Sequence, residues 1–321
     1  MKAAIYEVYG PPDVVRIAEV QKPVPKDDEV LIKVRAASVN PLDWRIMKGE
    51  PRLLRLFFGL RKPKRGRPGV DVSGEVEAVG GKVSQFKPGD AVFGAAPSAI
   101  AEFTCTRESK IAMKPEQVTF EQAASTNVAG LTAVQGLRKG KIQSGSQVLI
   151  NGAAGGVGTF AVQLAKSFGA QVTSVCSTRN VELVKSIGAD VVIDYTHDDF
   201  TKSDQRYDLI LDCVGNHSFS DCKRVLTPHG RFVMVGGPHD AKTMDVLSAI
   251  TKGVWLSLFR NQKAVMFIGK ASPADLTFIA DLIVSGKLTP VIEKKYPLSE
   301  AAAAIKHVEE GHARGKVVIT V

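Results

Sequence analysis

The chain has 321 residues, enough for two domains, and 44% are hydrophobic against 23% charged, which excludes a disordered or fibrous protein. The formal charge is +9, but the excess is local: residues 48–67 carry eight cations and one acid, Glu50, and the remainder is nearly balanced. A broad basic face is therefore absent, and no nucleic-acid partner is expected.

Cys105, Cys176, Cys213 and Cys222 lie far apart without a CxxC pair, which argues against a structural zinc lobe or a disulfide framework. Free thiols, and an N-terminus (MKAAIYEVYGPP) without an apolar secretory core, lead to the expectation of a cytoplasmic protein. The longest uncharged stretch, 142–165, is too glycine-rich and polar to span a bilayer.

The first 115 residues read as strands and turns with no evident helix. Glu29–Ala37, Val72–Val79 and Asp90–Gly94 are the strand candidates, separated by turn residues such as Lys87-Pro88-Gly89-Asp90. Helix formers and small residues dominate Phe120–Lys139. From Gln147 the pattern alternates. Strands are predicted at Gln147–Asn151, Gln171–Cys176, Val191–Asp194, Asp208–Asp212 and Arg231–Val235. Helices are predicted at Val157–Ser167, Val181–Ile187 and Phe219–Leu226, which implies an α/β fold with a doubly wound parallel sheet. After about residue 260 the alternation stops. Asp275–Ser285 and Ser299–Glu310 read as amphipathic helices and Lys316–Val321 as a terminal strand. These changes of pattern divide the chain into 1–120 (mostly β), 121–260 (alternating) and 261–321, a segment that could return to the first domain, which the pattern alone does not decide.

The sharpest motif is Asn151-Gly152-Ala153-Ala154-Gly155-Gly156-Val157-Gly158, between the strand QVLIN and the helix VGTFAVQLAKSF, within a 30-residue βαβ unit. A pyrophosphate must approach the orphan N–H groups at that helix start, and side chains would block it. Gly152, Ala154, Gly155, Gly156 and Val157 are therefore assigned to cofactor binding, and Gly158 to close packing of the helix. An NAD-type site places a carboxylate about 20 residues on. Here Cys176-Ser177-Thr178-Arg179 has none. Ser177, Thr178 and Arg179 suit a 2′-phosphate, favouring NADPH, although the two hydroxyls could equally cap the following helix. Tyr195, ending the next strand, either flanks the adenosine or is an ordinary strand-end residue. Loops after later strands, at Val214 and Gly236, should line the cofactor. Cys213 and Cys222 read as apolar fillers.

AASVNPLDW (36–44), GVDVSGEVEAVG (69–80), FKPGDAVFG (86–94), AGLTAVQGL (129–137), NGAAGGVGTFAVQLAKSFGA (151–170) and GKVVITV (315–321) occur in one order over nearly the whole chain. In these segments the chain resembles the medium-chain dehydrogenase/reductase superfamily, specifically its zinc-free quinone oxidoreductase branch. The resemblance implies a GroES-like catalytic domain built from both chain ends, a central Rossmann domain and a cleft between them. It further implies NADPH-dependent reduction of a quinone or α,β-unsaturated carbonyl, in a homodimer. Zinc-dependent relatives carry Cys where this chain has Asn40, Gly-His-Glu at Gly69-Val70-Asp71, and a third ligand near 127–129, so no metal is expected. All six histidines lie at or beyond His197.

The same resemblance sets the turn 40–45 beside the nicotinamide, making Asn40, Asp43 and Arg45 the catalytic candidates, as hydrogen-bond donors or an oxyanion partner. Thr132 and Lys316 are placed near the cofactor. Asn40 and Asp43 read equally as caps of a short turn. The segment 48–67 interleaves its cations with Leu53, Leu54, Leu56, Phe57, Phe58 and Leu60. It is a lid, a solvated insertion or a weak peripheral membrane contact. A 2-enoyl thioester reductase and a non-catalytic NADPH-binding redox sensor are the competing readings of the whole chain.

Overall fold

The computed structural model describes residues 1–64, 66–237 and 262–321. Two compact units emerge. One comprises 1–131, 271–286 and 290–321, the other 132–270 and 287–289. The first division falls inside a helix, eleven residues beyond the expected 120, and residues 287–289 join the second unit.

In the first unit the strands are β1 (Lys2–Ile5), β2 (Arg16–Glu19), β3 (Glu29–Val39), β4 (Asp71–Val79), β5 (Ala91–Ala95), β6 (Phe103–Arg107) and β7 (Ile111–Met113). The helices are α1 (Pro41–Lys48), α2 (Arg55–Phe58), α3 (Phe120–Ala124) and the first part of α4 (Asn127–Lys139). Of the two helices expected after residue 260, α8 (Pro273–Val284) and α9 (Ala301–Glu309) lie here, with β14 (Ile292–Pro297) and β15 (Lys316–Thr320). Among the described residues, seven strands form one sheet in the order β14-β15-β3-β4-β5-β7, with β6 also paired to β3. β15 pairs antiparallel with β3, Val317 opposite Val39, so the chain's last strand returns to its first domain. β3 alternates large apolar residues inward (Val30, Ile32, Val34) and packs them on Val72, Val76, Val92, Ile305 and Ile319.

α1 corrects the expectation of no helix before residue 115. Its N-terminus is fixed by Pro41 at the first helical position and by the Asp43 carboxylate, which accepts from the Asn40 N–H at 2.7 Å. Trp44 and Met47 on its inner face are buried, each contributing about 1.5–3 kcal/mol. A signal of only eight residues is easily overlooked beside strong strand patterns.

The second unit holds β8 (Gln147–Asn151), α5 (Gly156–Ser167), β9 (Gln171–Cys176), α6 (Val181–Ser186), β10 (Val191–Asp194), β11 (Tyr207–Asp212), α7 (Phe219–Cys222), β12 (Leu226–Met234) and β13 (Lys263–Met266). All pairings in the sheet β10-β9-β8-β11-β12-β13 are parallel. β8 is central. The chain winds outward from it through β9 and β10, then returns to its other side at β11. This is the doubly wound topology expected, and its reversal point lies beside β8. β13 extends the sheet past the point where the alternation was expected to stop. The helix expected over Phe219–Leu226 is only α7 followed by a 3₁₀ turn at 223–225, and β12 begins at Leu226, five residues early. Leu226 and Phe232 fill the core against Tyr207 and Ile210, so burial overrides local helix propensity there.

Candidate functional site

The glycine turn occupies the reversal point of the sheet. Gly152 has φ +81°, a left-handed conformation, and a Cβ there would come 2.6 Å from a Val214 methyl of the neighbouring loop. A Cβ on Gly158 would come 2.1 Å from the Gly152 carbonyl oxygen, so the helix presses on its own turn rather than on the strand. Gly155 is different. It caps α5 without any side-chain bond, and among the described residues a Cβ there would approach only one atom within 4 Å, the Gly152 oxygen at 3.5 Å. The first-turn N–H groups of Gly156, Val157 and Gly158 have no intrahelical acceptors, so an open space borders a row of donors at a positive helix end. The residues present fit a pyrophosphate.

The ends of neighbouring strands are tied together here. Asp212, buried at the end of β11, accepts through Oδ1 from Asn151 Nδ2 at 2.9 Å, Val214 N–H at 3.0 Å and Gly215 N–H at 2.9 Å. Asn151 Nδ2 also donates to Asn216 Oδ1 at 2.8 Å. The sequence singled out the loop and placed Asn151 in the glycine motif, but it pointed to no role for Asn151 or Asp212, the residues that shape the loop. Val214 is 37% exposed beside Gly152, whereas a Cβ on Gly236 would meet the Cys213 oxygen at 2.0 Å. Close packing therefore requires a glycine at 236, whatever else it lines. Burial pushes the Cys213 and Cys222 thiols well up, as befits fillers.

Ser177, Thr178 and Arg179 follow β9, and Thr178 and Arg179 are exposed. Ser177 Oγ accepts from Asn180 Nδ2 at 3.1 Å rather than capping the helix. Tyr195, 59% exposed, donates its N–H to the Cys176 carbonyl, so it stands beside this group. A carboxylate absent from the end of β9 is supplied by the next strand, a feature invisible to residue spacing. Asp194 accepts from the Thr196 N–H at 3.0 Å and hydroxyl at 2.7 Å, and from His197 Nδ1 at 3.2 Å. Thr178 Oγ1 lies 2.9 Å from Thr196 Oγ1. Hydrogen bonding from Thr178 first, then from Thr196 and His197, holds Asp194 well below the usual carboxylate range. Thr132, in α4, lies against Gly269.

In the first unit a buried polar cluster gathers Ser38, Asn40, Asp71, Asn127 and Lys316, the last 3% exposed. Asp71 Oδ2 accepts from Ser38 Oγ at 2.6 Å, Asn40 Nδ2 at 2.9 Å and Lys316 Nζ at 3.3 Å. Its Oδ1 accepts from Asn127 Nδ2 at 2.9 Å and Val128 N–H at 3.0 Å. Lys316 Nζ donates also to Asn40 Oδ1 at 2.7 Å and to the Val39 carbonyl at 3.3 Å. Lys316 Nζ is enclosed by the Val39 carbonyl, Asn40 and Asp71. The Asn40 amide donates to Asp71 Oδ2 at 2.9 Å and to the Ser38 carbonyl at 3.4 Å. Asp43 is buried and accepts from the N–H groups of Asn40 and Gly69, the latter at 2.9 Å. Burial, opposed by those two bonds, pushes Asp43 up to about 6. Arg45 is half-buried, its guanidinium 5.1 Å from the Trp44 ring centre, and burial lowers its pKa.

Residues 26–162 match the family described as alcohol dehydrogenase GroES-like domain, and 187–319 that described as zinc-binding dehydrogenase. The chloroplast envelope quinone oxidoreductase homolog of Arabidopsis thaliana is 36% identical over 99% of this chain and 98% of its own length. The chain belongs to the quinone oxidoreductase branch of the medium-chain dehydrogenase/reductase superfamily. The NADPH-dependent alkenal/one oxidoreductase of the same plant is 34% identical to this oxidoreductase, covering 99% of the chain and 79% of the relative. The quinone oxidoreductase of Coxiella burnetii superposes on it with a TM-score of 0.88 at 33% identity, covering 100% and 99% of the two chains.

The family description raises the question of zinc. The three positions that resemble ligand sites, Asn40, Asp71 and the neighbourhood of Asn127, do converge. Asn40 and Asn127 both donate to Asp71, the one anion of the three, and the Lys316 ammonium bonds Asp71 and Asn40. Two amides and one carboxylate already bonded to a cation do not fit Zn²⁺, which takes thiolate, imidazole or free carboxylate donors. Among the described residues no group of three His, Cys, Asp or Glu side chains could hold a metal.

Proposed function

We propose that this oxidoreductase uses NADPH to reduce a quinone or an α,β-unsaturated carbonyl, without zinc. The observation that carries the reading is the bare N-terminus of α5, where Gly155 leaves room for a pyrophosphate in front of free helix donors. When bound, the nicotinamide supplies a hydride; the chain's own residues bind, orient and exclude water. Gly152–Val157 would hold the pyrophosphate, and Val214 would pack on the cofactor from the β11 loop. Ser177, Thr178 and Arg179 would take the 2′-phosphate through hydroxyl and guanidinium donors. The printed names of the plant relatives support the substrate class, and one of them names NADPH.

Asn40 and Asp43 act here as positioning residues for the 40–45 turn. Arg45 remains the candidate to steady negative charge developing on a substrate oxygen. The Lys316–Asp71 pair takes the structural place that a metal would need, which supports a zinc-independent reaction.

A second reading rests on Asp194. A carboxylate one strand over from Thr178 suits ribose hydroxyls and repels a phosphate, and so favours NADH. Loss of NADPH or NADH absorbance with ortho-quinones, enones and enoyl thioesters tests both readings. Turnover of quinones or enones with NADPH is expected. Turnover confined to enoyl thioesters, or tight binding without turnover of any, would replace the proposal.

A further inference from the structure

From the geometry of residues 51–64, with Arg67, we infer that this face docks on a bilayer containing anionic phospholipid. Leu53, Leu56 and Phe57 follow i, i+3, i+4 spacing across a 3₁₀ turn (Arg52–Leu54) and α2, and Leu60 follows Gly59, where the helix ends. They are 42%, 57%, 73% and 67% exposed, and Phe58 beside them is 36% exposed. Scattered exposed apolar residues are ordinary, but a contiguous cluster of five is not.

The cluster is held outward by its underside. Arg55 turns inward and donates from Nε to the Gly49 carbonyl and from Nη2 to the Lys48 carbonyl, both at 3.2 Å. Its guanidinium lies 4.5 Å from the Tyr9 ring centre, and the Tyr9 hydroxyl donates to the Gly59 carbonyl. Gly59 has φ +123°, and a Cβ there would meet the Lys62 oxygen at 2.1 Å. The apolar side chains therefore sit on a fastened ledge.

Charge decides the occupant. Arg52, Arg61, Lys62, Lys64 and Arg67 are exposed around the apolar side chains, and no acid occurs from 51 to 70. A second copy would set like charges against each other. A free polyanion would leave the apolar residues in water. An anionic bilayer surface satisfies both, with phosphates for the cations and an acyl boundary for the leucines and phenylalanines. The contact is peripheral, since among the described residues no helix is long and apolar enough to cross a membrane.

The test is co-sedimentation of the full chain with vesicles of phosphatidylcholine alone and with about one-third phosphatidylglycerol. Binding to the anionic vesicles only, weakened about tenfold or more by high salt, is expected. Leu56→Ser/Phe57→Ser and, separately, Arg61→Glu/Lys62→Glu/Lys64→Glu should each weaken it about tenfold or more while leaving the melting temperature unchanged. Equal binding to neutral vesicles, no binding to either, indifference to both variants, or self-association through this face would overturn the inference.

Discussion

Lys316 and Asp71 form a buried ion pair whose desolvation is offset only because the carboxylate accepts four further hydrogen bonds and the ammonium donates two. Removing the cation alone leaves a buried charge, so Lys316→Met should destabilise the chain by about 3 kcal/mol. Asp71→Asn added to it should recover part of that loss, and chemical denaturation of the two variants checks the order. Asp43 gives a pH dependence. Its folded value is near 6, against about 4 when unfolded, so the folded chain holds the extra proton between those values. Stability from this group therefore falls as pH rises from about 4 to 6, by on the order of 2 kcal/mol. The stability difference between wild type and Asp43→Asn should shrink across that window, and a constant difference would contradict the assignment. At the adenosine end, Arg179→Ala should weaken NADPH by about 1–3 kcal/mol and NADH hardly at all. Asp194→Asn should strengthen NADPH binding. If it instead weakens NADH alone, Asp194 holds ribose hydroxyls and the cofactor preference reverses.

The βαβ unit makes its own prediction, because its glycines do different work. Gly155→Ala should cost about 1 kcal/mol or less in stability, yet abolish most dinucleotide affinity by filling the space before α5. Gly158→Ala should lower the melting temperature as well, since its Cβ meets backbone that cannot yield. Thermal melts with and without NADPH separate the two. At this scale much was legible in the sequence. β8, β9 and β10 fall where alternation and turn residues predict them, because a buried parallel strand needs a short apolar run between turns. α1 was missed because its start depends on one carboxylate reaching back three residues, and the first five residues of β12 because they are ordered by burial rather than propensity. Caps and tertiary override are weakly written in local composition.

For the whole molecule, the domain plan followed from motif order, and the pairing of β15 with β3 closes the first domain from both chain ends. Convergence was the part spacing does not carry. Asn40, Asp71, Asn127 and Lys316 are far apart in the chain, and only the sheet register brings them together. The same holds for Asp194, which reaches Thr178 because β10 lies next to β9. The central claim is that the mouth of α5 grips the pyrophosphate of NADPH. Calorimetric titration of the full chain with NADPH and with NADH tests it most directly. Saturable binding of NADPH, tighter than NADH and lost in Gly155→Ala, is expected. Absence of heat with both dinucleotides, or binding unaffected by that substitution, would contradict it.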